Sequence, residues 1–409
     1  MTCKLFLYDY RAQKHYSYAN LCEDLSSATT VGKYCHTHGL YNILLHIISS
    51  IIHKVDLVLL DADFSDAELH SLHLSFDDLK GTVAVESVMI AETDDLLRLI
   101  QANQYWKLTL YTSGTTGLPK QVTHTLSSLT RAVRTNARHA EDIWGFAYNP
   151  THIAGLQVFF QALLNGNSLI NLFEASRDVV LASLKEFHIT NISATPTFFR
   201  MLLPLHESFT SVTKLTSGGE KFDPRLVDEL LKAFPNARLR NVYASTEAGT
   251  ILESRDDGFC IQDNTLCKIE NNELYIHRKL MGEGSELLLT DDEWYATGDL
   301  VEILSDEPLR FRFLQRKNEM INVGGYKVNP CEVEQALESH PHIRQAYVYG
   351  KANAVLGNVL IADIVTNEPV SEKELRNFLS RLLQPYKVPR ILNFVAAIEL
   401  TRTGKIKRN

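Results

Sequence analysis

The chain has 409 residues, a hydrophobic fraction of 45% and a formal net charge of −8. That suits a soluble protein with a large core and two or three domains, and it argues against an extended polyanion-binding surface while leaving room for a local basic patch, so nucleic acid is not an expected partner. Six cysteines without a CxxC pair point to reduced thiols in a cytoplasmic setting. The start MTCKLFLYDY carries no basic-then-apolar leader, and the most apolar run, 43–52, is broken by His46, Ser49 and Ser50, so no membrane insertion is expected. Cys35, His36 and His38 lie close together, but no second cluster at ligand spacing completes a zinc site.

In chain order, Leu40, Ile43, Leu44, Ile47, Ile48 and Ile51 repeat at helical spacing, and 55–61 (VDLVLLD) and 82–87 (TVAVES) read as strands. The segment 94–101 reads as a short helix with acidic residues at its start. A strand over 106–111 leads into YTSGTTGLPK at 111–120. Glycines there let backbone N–H groups approach an anion, hydroxyls donate further hydrogen bonds and a lysine adds charge, which is phosphate chemistry without Walker A spacing. Helices are predicted over 126–140, 152–164 and 179–187, and strands over 168–172 and 191–195. A helix opened by Pro196, a strand ending in SGGE at 217–220, a helix begun by Asp223 and Pro224, and a strand running into STEAG at 245–249 follow. The alternation implies an α/β fold with a doubly wound sheet, whose strand C-terminal ends present the polar clusters. Short alternating stretches over 250–316 predict antiparallel β structure, a small distorted barrel, and the chain beyond 318 predicts a separate α+β domain.

The 111–120 string is closely similar to the phosphate-binding signature of the adenylate-forming superfamily, which comprises acyl-CoA and aryl-CoA ligases, peptide-synthetase adenylation domains and luciferases. Further matches recur in order along 106–409. The resemblance implies a large domain over 1–317, with a β-rich part at about 250–317, and a mobile C-terminal domain over 319–409 hinged at Asn318, where aspartate or lysine is usual. It implies ATP contacts from Thr112, Ser113, Gly114, Thr115, Thr116, Gly117 and Lys120. Gly218, Gly219 and Glu220 resemble the adenine-contacting turn. By the same resemblance Tyr243, Ala244 and Ser245 would border the base, with Ala244 in place of the usual glycine; Thr246 would donate to the α-phosphate and Glu247 would hold Mg2+. Asp299, in YATGD, would accept from both ribose hydroxyls, with Arg316 beside it although Gln315 replaces a customary glycine. Gly324, Gly325, Tyr326 and Lys327 resemble the segment lining the acceptor-thiol tunnel, with lysine where arginine is common. Lys405, in the closing LTRTGKIKRN, matches the lysine that reaches the carboxylate and α-phosphate.

The resemblance also implies that His152, in NPTHIAG, falls at the acyl pocket together with Gly218, Ala244 and Gly249. Its surroundings resemble o-succinylbenzoate–CoA and aryl-CoA ligases more than amino-acid adenylation domains. The implied reaction joins a small carboxylic acid to coenzyme A through an acyl adenylate, with ATP and Mg2+ as cofactors. A carrier-protein phosphopantetheine as the acceptor, and a non-catalytic nucleotide- or carrier-binding module, are the alternatives. The signature loop comes earlier in this chain than is usual in the family, so an abbreviated first subdomain, or an acyl-pocket wall supplied by a partner, is expected.

Overall fold

The computed structural model describes residues 4–62, 64, 66–112, 120–218, 224–255, 258–284, 289–317, 320–323, 326–353, 357–400 and 406–407. The chain divides into two compact units, one of 1–254 with 277–289 and one of 255–276 with 290–409.

The first unit is built on a parallel sheet ordered Arg238–Ser245, Lys214–Gly218, Asn191–Ala194, Ile143–Phe146, Ser168–Asn171 and Leu5–Asp9. Lys14–Ser17 closes one edge antiparallel, and Gly249–Arg255 pairs antiparallel with Arg238–Ser245 at the other. The strands Asn191–Ala194 and Ser168–Asn171 are buried at every position, because helices cover both faces of such a sheet. A second sheet runs Tyr34–Cys35, Leu57–Leu59, Lys107–Thr112 and Lys120–Thr125. The predicted helix over 40–51 forms as Leu40–Ile52, with its leucine and isoleucine stripe in the core. Thr195 caps the helix Pro196–Leu202 by accepting from the Phe198 N–H, with Pro196 in the first turn where its missing N–H costs nothing.

The helix predicted over 126–140 is shorter. It ends as Leu126–Thr130, and a single 3-10 turn, Ala137–His139, follows. The Asn136 side chain accepts from the Arg138 N–H and Gln161 accepts from the Arg134 N–H, so side chains take donors that a continuing helix would have used. The strands Leu5–Asp9, Lys120–Thr125 and Ile143–Phe146 were not foreseen by the sequence pattern.

In the second unit the strands Cys267–Glu270, Glu273–His277, Trp294–Asp306, Leu309–Arg316 and Gly258–Cys260 lie side by side in that order. They form an antiparallel sheet, as the alternating pattern predicts, and no closure of it into a barrel is seen among the described residues. A separate sheet runs Tyr326–Val328, Ile321–Val323, Gly357–Thr366 and Ile343–Asn353, with Ile391–Phe394 parallel to Gly357–Thr366. The helices Pro330–Glu338 and Glu372–Leu382 bury Val333, Leu337, Leu375 and Leu379 in the core of this α+β part.

Candidate active site

The signature segment sits at the tip of a β-hairpin. Lys107–Thr112 and Lys120–Thr125 pair antiparallel, with Thr112 opposite Lys120. Ser113, Gly114, Thr115, Thr116 and Gly117 lie outside the described residues, as do the side chains of Thr112 and Lys120. The parallel sheet delivers the next groups at its C-terminal ends, where open α/β sheets hold ligands. Gly218 ends its strand with no room for a side chain, since a Cβ there would lie 2.6 Å from Val242 Cγ2. Gly219 and Glu220, which follow it, lie outside the described residues.

Tyr243, Ala244 and Ser245 end the strand Arg238–Ser245 in half-buried positions, with a bulge between Tyr243 and Ala244. The turn that follows is fixed through its backbone. The carbonyls of Thr246, Glu247 and Ala248 accept in succession from His124 Nε2 at 2.7 Å, the Gly282 N–H at 2.6 Å and Arg131 Nη2 at 2.7 Å. Because a carbonyl only accepts, His124 carries its proton on Nε2, and Nδ1 lies 3.2 Å from Ser128 Oγ. Burial pushes the His124 imidazole below its ordinary value, more than its bond to Thr246 raises it. A Cβ at Gly282 would come within 2.8 Å of the Thr123 carbonyl and of His124 Cε1, so only glycine lets this segment approach. Gly249 adopts φ +66°, and Thr250 beside it donates to Gln157 Oε1 at 2.9 Å. The turn therefore holds Thr246 and Glu247 on a braced backbone at the C-terminal end of the strand Arg238–Ser245.

His152 precedes the helix Ile153–Leu163, at its N-terminal boundary. Its Nε2 lies 3.3 Å from Asp61 Oδ2, out of hydrogen-bond alignment and fully shielded from solvent. Asp61 Oδ1 accepts from Asn149 Nδ2 at 3.1 Å and from the Thr151 hydroxyl, so the whole 149–152 loop closes on one buried carboxylate. Burial alone would raise the Asp61 carboxyl, but His152, Thr151 and Asn149 outweigh it and hold it at about 2. Gly155 completes the loop, since a Cβ there would meet the Asn149 carbonyl at 2.2 Å.

In the second unit Asp299 is buried and stands opposite Arg316 in the ladder between Trp294–Asp306 and Leu309–Arg316. The Thr297 hydroxyl donates to the Leu274 carbonyl at 2.8 Å and accepts from the Asp299 N–H at 3.1 Å. Gly298, at φ +75°, donates its N–H to Glu273 Oε1 at 2.9 Å. Tyr326 and Lys327 stand opposite Val323 and Asn322. The side chains of Tyr326, Lys327 and Arg316 are not described, and Asn318, Gly324, Gly325 and Lys405 lie outside the described residues.

Sequence reasoning missed Asp61, His124, Arg131, Gly282 and Glu273. Asp61 alone left a signal, an acidic residue closing an apolar strand. Mg2+ takes one or two protein carboxylates and leaves its remaining positions to phosphates and water, so the single carboxylate expected to hold it, Glu247, is compatible with that ion. Among the described residues no cluster of three His, Cys, Asp or Glu side chains offers a competing, all-protein metal cage. No helix among the described residues is long and apolar enough to cross a membrane.

The AMP-binding enzyme family matches residues 99–276, and its AMP-binding enzyme C-terminal domain matches 332–405. A 4-hydroxybutyrate–CoA ligase of Metallosphaera sedula is 29% identical over 73% of this chain and 60% of its own length. A 2-succinylbenzoate–CoA ligase of Staphylococcus epidermidis is 25% identical over 73% of this chain and 68% of its own. The matched part thus spans about three fifths to two thirds of these relatives. The o-succinylbenzoate CoA synthetase of Bacillus subtilis, solved with its acyl-adenylate intermediate, superposes with a TM-score of 0.74 at 21% identity, covering 99% of this chain and 94% of that one. The same enzyme with ATP and magnesium gives a TM-score of 0.73 at 20% identity, covering 99% and 95% of the two chains. With both family segments matched in order and the fold shared along the chain, this protein belongs to the AMP-binding enzyme family of the adenylate-forming superfamily.

Proposed function

We propose that this chain joins a small carboxylic acid to coenzyme A in two steps. The acid's carboxylate attacks the α-phosphorus of ATP and pyrophosphate leaves; the thiol sulfur then attacks the acyl carbon and AMP leaves. The observation that carries the proposal is the turn 246–248, whose three carbonyls are each held by a donor from elsewhere in the chain, so that Thr246 and Glu247 are offered on a backbone that need not reorganise.

In this reading the residues of 112–120 bind the outer phosphates and the Thr246 hydroxyl donates to the α-phosphate. Mg2+, held through Glu247, offsets charge on the phosphate oxygens. Asp299 accepts from the ribose hydroxyls. Lys405 donates to the forming acyl phosphate, and the segment over 319–409 turns about Asn318 between steps. His152, held by Asp61, gives the acyl side a polar wall. That favours acids with a hydrogen-bonding group beyond the carboxylate, as the names 4-hydroxybutyrate and 2-succinylbenzoate indicate for the relatives. Those names also favour coenzyme A over a carrier protein. The cysteines Cys22, Cys35, Cys260, Cys267 and Cys331 are free thiols, which supports a cytoplasmic setting.

ATP–pyrophosphate exchange across hydroxy, aryl and plain alkyl acids tests the activity, with exchange expected for the first two. Lys405→Ala should lower adenylation on the order of 10² to 10³-fold while transfer from synthetic acyl-AMP to coenzyme A is largely spared. Equal losses in both half-reactions would assign the tail to the fold instead. Exchange with no acid would sink the proposal.

A further inference from the structure

Glu273 is 5% exposed, and it lies outside the short strings singled out in the sequence analysis. Its two carboxylate oxygens do different things. Oε1 accepts from the Gly298 N–H at 2.9 Å, at the left-handed residue directly before Asp299. Oε2 accepts from Lys317 Nζ at 2.8 Å, one residue after Arg316, the cross-strand partner of Asp299. Gly298 has the φ +75° that glycine tolerates, and its N–H is fixed by a charged acceptor, the stronger kind of hydrogen bond. Lys317 keeps 62% of its side chain exposed while the carboxylate it pairs with keeps 6%, so the buried partner anchors the exposed one.

We propose that Glu273 is a positioning residue that couples the ribose-binding turn to the chain leaving Arg316: one oxygen sets the turn that presents Asp299, and the other tethers Lys317 so that Arg316 stays opposite it. A buried carboxylate with a single acceptor task would leave its second oxygen unsatisfied, at a cost, and here Lys317 removes that cost. This rests on the reading of Asp299 and Arg316 as ribose contacts, so the test has one arm that needs no nucleotide.

The probe is AMP, with binding measured by calorimetry on the full chain and backbone amide exchange read at 297–299 and 315–317. Glu273→Gln keeps an oxygen for Gly298 and loses the ion pair; Lys317→Met loses the ion pair from the other side. Each is expected to weaken AMP binding about three- to tenfold, and the double variant no more than Glu273→Gln alone, because both remove one tether. Glu273→Ala removes both tasks. It should weaken AMP on the order of tenfold or more and speed exchange of the Gly298 amide, which Glu273→Gln should leave protected. Unchanged AMP binding in both single variants, additive losses in the double variant, or equal protection of Gly298 in Glu273→Ala and wild type would each overturn the coupling. Should the wild-type chain bind no AMP, the ribose reading fails, while the exchange contrast between Gln and Ala at position 273 still decides whether Glu273 sets the turn.

Discussion

The turn at 246–248 is held through its carbonyls and the turn at 297–299 through the Gly298 N–H and the Thr297 hydroxyl, but from very different distances along the chain. His124 and Arg131 reach Thr246 and Ala248 across 122 and 117 residues. Glu273 and Leu274 reach Gly298 and Thr297 across 25 and 23 residues, from the neighbouring strand of the same antiparallel sheet. The first turn therefore exists only once the whole first unit has assembled, whereas the second is a product of local strand pairing. Long-range braces make the first turn sensitive to anything that loosens the paired strands Lys107–Thr112 and Lys120–Thr125. That suits a turn proposed to act on the reacting phosphate, and the local brace suits one proposed only to hold a ribose.

The largest effect that tests this contrast is at Glu247. If the braced backbone serves to place a metal-holding carboxylate, Glu247→Ala should lower adenylation on the order of 10²-fold, most steeply at limiting magnesium, with an unchanged melting temperature. Pyrophosphate exchange across a magnesium titration measures it. Wild-type rates at limiting magnesium would remove Glu247 from the metal and leave the braces without a catalytic purpose.

Next in size is Asp61, the long-range brace of the 149–152 loop, which reaches Asn149 across 88 residues. Its folded value of about 2 lies below the ordinary 3.8. A depressed carboxylate contributes stability that is fully present above its unfolded value and is lost as pH falls through the folded one. The window is therefore about pH 4 down to pH 2, and the contribution is about 2 kcal/mol. Urea unfolding of wild type and Asp61→Asn should converge across that window and separate above it. Parallel curves would mean that the carboxylate is not held by its three partners.

How much of this was legible in the sequence follows from the same distinction. Alternating strands and helices from 152 onward were readable because each has a local period or cap, such as Thr195 before Pro196. The residues proposed to touch nucleotide were readable because they cluster in short strings. The braces were not. His124 lies in KQVTHT, a strand hidden behind the glycine-rich loop, and nothing local marks a histidine whose partner is a carbonyl 122 residues on. Glu273 begins a strand whose alternation predicted β structure, yet its burial depends on how the neighbouring strands pair, which no local pattern states. The helix expected over 126–140 failed for a related reason, since Gln161 captures the Arg134 N–H from another element and so ends the helical path.

The smallest effect is the sharpest on the comparison itself. His124 donates Nε2–H to the Thr246 carbonyl, and a net hydrogen bond of this kind contributes about 1 kcal/mol, near fivefold in an equilibrium. His124→Leu removes the donor and leaves that carbonyl to its other surroundings, so the KM for ATP should rise about fivefold. His124→Gln, which can still offer an N–H, should recover much of the loss. AMP affinity, which in the proposed reading leans on the ribose turn, should move less than the KM for ATP in both variants. If AMP and ATP weaken together, the two turns do not act separately, and the distance along the chain from which each is braced has no bearing on which part of the nucleotide it serves. If His124→Leu leaves ATP unaffected, Arg131 and Gly282 suffice to hold the turn, and the next variant to make is Arg131→Met, which withdraws the donor to Ala248 and tests whether the remaining two contacts can carry the backbone alone.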